Sequence, residues 1–91
     1  MKTTVEQVIE LIDEQKKVLI ERAKQHGSFD VFDRAGKHAG ISALEVATTM
    51  CAVKKARLET NPDNWDSLVD LLNYQAIATV MSVNIAREEK Q

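Results

Sequence analysis

A single cysteine, a single proline and three glycines are all that this 91-residue chain holds of the residues that staple or break structure. Cys51 has no second cysteine with which to form an internal disulfide. The only histidines are His26 and His38, so a cysteine and histidine metal cluster, the other usual support of a small domain, is excluded as well. Such usage fits a reducing cytoplasm. Charge of one sign is not gathered anywhere: 12 basic and 14 acidic side chains leave a net charge of -2. No run is long enough for a basic stripe or a charged tail, which argues against a nucleic-acid partner. The opening stretch MKTTVEQVIELIDEQKK has no continuous apolar core, because Glu6, Gln7, Glu10, Asp13 and Glu14 interrupt it. Neither export nor a membrane partner is expected.

What is present has helical periodicity throughout. The length suits a single all-α domain over residues 1–91, of a size that buries only about 60% of its unfolded surface, so burial against a partner would help it. Thr3 and Glu6 have the spacing of a capping box, and Val5, Val8, Ile9, Ile12, Leu19 and Ala23 recur at helical intervals, which predicts a first helix over residues 4–25. Glu10, Glu14, Lys17, Glu21 and Lys24 form its solvated face. All three glycines fall in or beside HGSFDVFDRAGKHAGIS, the irregular part, where a short helix around Phe29 to Ala35 would set Phe29 and Phe32 as lids over the core. The fragment AGKHAGIS lacks the glycine and hydroxyl residue of a phosphate loop. Ser42 and Glu45 make a second capping box, opening a helix that runs to about Glu59. Asn61 as N-cap and Pro62 in the first turn then start a third long helix, to about Glu88.

The charges of the last two helices are the informative ones. Lys54 and Arg57 fall inside the apolar arc of Ala43, Val46, Ala47, Met50, Cys51 and Val53, and Asp66, Asp70 and Asn73 lie among Val69, Ile77, Val80 and Met81. Unpaired charge in such a place costs several kcal/mol per ion, on the order that forces pairing. An antiparallel hairpin of these two helices would set Lys54 level with Asp70 and Arg57 level with Asp66, a ladder that fixes its register. The same atoms suit a second role: two carboxylates one turn apart can share magnesium, an adjacent lysine and arginine suit a phosphate, and Tyr74 adds a hydroxyl or a stacking surface. Cys51 reads as a buried thiol on an apolar stripe, and His26 as a residue serving the first helix's C-terminal dipole.

Arg22 with Gly27 and Phe29, then Lys54 and Arg57, then Asp66, Asp70 and Tyr74, in order from Glu21 to Ala78, resemble a family of small phage and prophage proteins of uncharacterised function. The segment WDSLVDLLNY is in addition similar to the metal-binding helix of the MazG-like all-helical nucleoside triphosphate pyrophosphatases. That resemblance implies a dimer or tetramer and a magnesium-dependent hydrolysis of nucleotides, with Asp66 and Asp70 as metal ligands. Those enzymes add a Glu-Glu-x-x-Glu cluster on an earlier helix, whereas Glu10, Glu14 and Glu45 here face outward, and the acid pair is spaced by four residues rather than three.

Helix three is apolar on both flanks, with Trp65, Leu68, Leu72, Ala76 and Val83 on one and Leu71, Tyr74, Ala78, Met81 and Ile85 on the other. So wide an arc needs several covering helices, and a second copy is the simplest supplier. The expectation is therefore an all-α bundle of three long helices and a short one, assembled as a homodimer or larger. Its expected role is that of a non-enzymatic phage-type accessory protein of the host cytoplasm, without cofactor, acting by self-assembly or by binding a macromolecule such as a host protein. The alternative is a MazG-like nucleotide-binding protein using Lys54, Arg57, Asp66, Asp70 and Tyr74 with magnesium.

Overall fold

The computed structural model describes residues 1–27 and 30–90, which form four helices and, among the described residues, no strand. Helix α1, Thr4–His26, begins where the Thr3 hydroxyl accepts the Glu6 N–H, and it ends on Gly27 in the left-handed conformation. Helix α2 is Val31–Ala39, two residues later at its start and four later at its end than the sequence suggested. Phe29, expected as a lid, lies outside the described residues, whereas Phe32 is buried as expected. Gly36 explains how α2 can end against the next segment: a Cβ there would stand 2.5 Å from the Ile41 carbonyl oxygen.

Helix α3, Ala43–Thr60, opens with both halves of the Ser42 and Glu45 capping box in place. The start of the last helix differs from expectation. Residues 61–64 form a turn closed by the Asn64 N–H on the Asn61 carbonyl at 3.1 Å, and Pro62 takes its second position, which a fixed φ favours. The N-cap is therefore Asn64, whose side chain accepts the Ser67 N–H, and α4 spans Trp65–Glu89.

The most extensive packing is between α3 and α4, with α2 laid on α3 and α1 on α4. Among the described residues the core is small and consists of Phe32, Ala47, Cys51, Val69 and Leu71. Helix α1 contributes no buried residue, and its stripe of Val5, Val8, Ile9 and Ile12 is exposed. The far half of α4 is similar, with Val80, Val83 and Ile85 exposed. By length and composition α4 could also cross a membrane, a test that the core helices of soluble proteins pass equally.

Candidate functional site

Ala47, Cys51 and Lys54 are the three buried residues of α3, spaced by four and three, so the lysine continues the stripe that carries the core. Its ammonium, in a residue only 9% exposed, donates to Asp70 Oδ2 at 2.9 Å. Asp70 keeps 17% of its side chain exposed, and its second oxygen, Oδ1, stands 3.8 Å from an Arg22 guanidinium nitrogen. Residues from α1, α3 and α4 thus meet at one carboxylate. Tyr74 follows one turn along α4, and Phe32 of α2 meets its ring edge-to-face, 6.0 Å between centroids and 87° between planes. Burial pushes the Tyr74 hydroxyl above its ordinary pKa of 10.0, with the Asp70 charge adding to the rise and Arg22 opposing it. Burial likewise raises the Cys51 thiol, against a smaller pull from Lys55.

The other expected pair does not form. Arg57 and Asp66 are both exposed, and no ion pair joins them among the described residues. The later start of α4 explains this, since it leaves Asp66 in the helix's first turn, open to water and favoured there by the helix dipole. The second cation at the cluster is Arg22, from a helix that periodicity alone could not place beside α4. Asp66 is exposed and Asp70, one turn further along α4, is half-buried, and among the described residues no three His, Cys, Asp or Glu side chains gather. The outward placement of Glu10 and Glu45 agrees with the sequence, and Glu14 is half-buried.

One contact escaped the sequence reading. Asn73 is buried and donates to the Gln15 backbone carbonyl at 3.2 Å, while the Gln15 amide nitrogen donates to Asn73 Oδ1 at 3.5 Å. The signal was Asn73 itself: an amide on an inward face requires a partner, and only the neighbouring helix could supply one. No buried side-chain nitrogen or oxygen among the described residues lacks a partner.

Beside this network lies a cavity of about 260 Å³ walled by all four helices. Val18, Phe32, Met50 and Ile77 make it apolar, and Arg22, Asp70, Asn73 and Tyr74 bring its polar edges. It is the described pocket in which the ion-pair cluster, an aromatic pair and open volume coincide.

Fold and site together define a small all-helical domain in which side chains from α1 and α3 meet a half-buried carboxylate on α4. Residues 10–82 match the domain of unknown function DUF6378, and the chain belongs to that family. No curated protein and no solved structure matches the chain.

Proposed function

We propose that this chain is a small accessory protein of phage or prophage type, acting in the host cytoplasm by assembling with a second copy of itself and thereby presenting a surface to a macromolecular partner. The observation that carries this reading is uncovered area. The accessible surface is 6770 Å², against about 5,300 Å² for a compact monomer of 10.2 kDa. The radius of gyration is 14.8 Å, against about 12 Å for a compact chain of this length. The excess exceeds the roughly 800 Å² that each partner buries in a standard interface. It is apolar where α1 shows Val5, Val8, Ile9 and Ile12 and where α4 shows Val80, Val83 and Ile85. In this reading α3 and α4 form an antiparallel hairpin clasped by Lys54 and Asp70, and the cluster is structural. Sedimentation at micromolar concentration should give a species of at least twice 10.2 kDa. Ile12→Glu combined with Val83→Glu should return it to the monomer with its helicity intact. A wild-type monomer at that concentration would falsify the proposal.

A second reading is favoured by one observation, that Arg22, Asp70 and Tyr74 edge the same cavity. In a MazG-like nucleotide site, Asp70 would hold magnesium with Asp66, and Lys54 and Arg57 would face phosphate. The Lys54 ammonium at 2.9 Å occupies one oxygen of Asp70, which weighs toward the first reading. Nucleoside triphosphates with magnesium, at about 100 times their dissociation constant, should stabilise the protein by roughly 2.7 kcal/mol if this second reading holds. A flat thermal-shift response across all of them removes it.

A further inference from the structure

The cavity has a chemistry that neither the clasp nor self-assembly uses. Its walls at Val18, Phe32, Met50 and Ile77 are apolar, yet Arg22 stands at its edge with half of its side chain exposed. The only anion paired with Arg22 among the described residues is Asp70, at 3.8 Å, beyond hydrogen-bond reach. Asp70 is in turn neutralised from its other side by Lys54 at 2.9 Å. The guanidinium therefore keeps donors to spare, arranged in the planar fork that matches a carboxylate through two parallel hydrogen bonds.

We infer that this cavity binds a small amphipathic carboxylic acid, its apolar body among Phe32, Met50 and Ile77 and its carboxylate on Arg22. The volume of about 260 Å³ equals the share of roughly nine liquid waters. That sets the body at the size of one ring with a short chain, below the ligands that fill pockets of about 300 to 1,000 Å³. An apolar wall and one guanidinium also select against a triphosphate, whose several charges need several cations. A single carboxylate at the solvent edge needs only one. The site stands independently of the self-assembly proposal, because its walls come from the four helices of one chain.

Hydrocinnamate and its uncharged amide, titrated into the full chain and followed by amide resonances, test the inference. The acid should move signals around Arg22, Phe32 and Tyr74 and bind about tenfold more tightly than the amide, the worth of a charge-assisted hydrogen bond. Arg22→Gln should bring the acid down to the affinity of the amide and leave the amide unchanged, whereas a merely structural arginine would move both. Met50→Trp, which fills the cavity, should abolish binding of both. Equal affinity for acid and amide in the unmutated protein overturns the inference without reliance on any variant. So does the absence of saturation at millimolar acid, or saturable shifts confined to the exposed stripe from Val5 to Ile12.

Discussion

Asp70 is the residue on which the most depends, because a lysine and an arginine from two different helices meet it. Asp70→Ala should cost about 2 to 3 kcal/mol, less than the 3 to 5 of a fully buried pair, since part of the carboxylate remains in water. Replacing both Lys54 and Asp70 by apolar residues of similar volume should be nearly neutral, giving a large favourable coupling in a double-mutant cycle measured by urea unfolding. No loss in Asp70→Ala would show that the carboxylate is not a structural partner. Gly36 is a second point of dependence: with the Ile41 carbonyl 2.5 Å from a would-be Cβ, backbone must move to admit even alanine. Gly36→Ala should lower stability by about 1 to 3 kcal/mol in the same measurement. The single tyrosine and single cysteine also set a pH dependence. Both have pKa values raised in the folded state from 10.0 and 9.0, so the folded protein holds these protons more tightly than the unfolded one does. Their contribution is fully present below those ordinary values and is lost as pH rises through the folded ones. The urea midpoint should therefore fall above about pH 9, and Tyr74→Phe should remove the part of the fall that begins near 10.

At the scale of elements, the caps decide where helices begin. Asn64→Ala removes the acceptor for the Ser67 N–H and should cost about 1 kcal/mol, whereas Asn61→Ala, outside the helix, should cost less by thermal denaturation. Equal losses would return the start of α4 to residue 62. The capping-box spacings made the starts of α1 and α3 legible in the sequence: Ser42 and Glu45 form both halves of the box, and the Thr3 hydroxyl accepts the Glu6 N–H. The pairing of Lys54 with Asp70 was legible too, since a charge on an apolar stripe has to be met. The start of α4 was not, because Asn61 followed by Pro62 has the pattern of a cap and a first-turn proline, whereas these residues form a turn that moves the cap on to Asn64. Arg22 and Gln15 were out of reach for a different reason. Their partners lie 48 and 58 positions away, and helical periodicity carries no information about which helices become neighbours.

For the whole molecule, the decisive quantity is the ratio of core to uncovered surface. Among the described residues five apolar ones make up the buried core, while long apolar stripes on α1 and α4 remain in contact with water. A domain so built gains stability by mass action when its stripes are covered, so its melting temperature should rise with protein concentration. The double variant at Ile12 and Val83 should melt at one temperature over the same range.

Helix α1, without a buried residue and joined to α4 by contacts that close 58 positions of chain, has a consequence for the order of events. Helices α2 to α4 can assemble from near neighbours in sequence, whereas docking α1 requires the longest loop closure and returns the least burial. It should behave as its own cooperative unit, opening while the rest stays folded. Hydrogen exchange should then find the amides of α1 less protected than those of α3. If a second copy covers its exposed stripe, that protection alone should grow as the protein is concentrated.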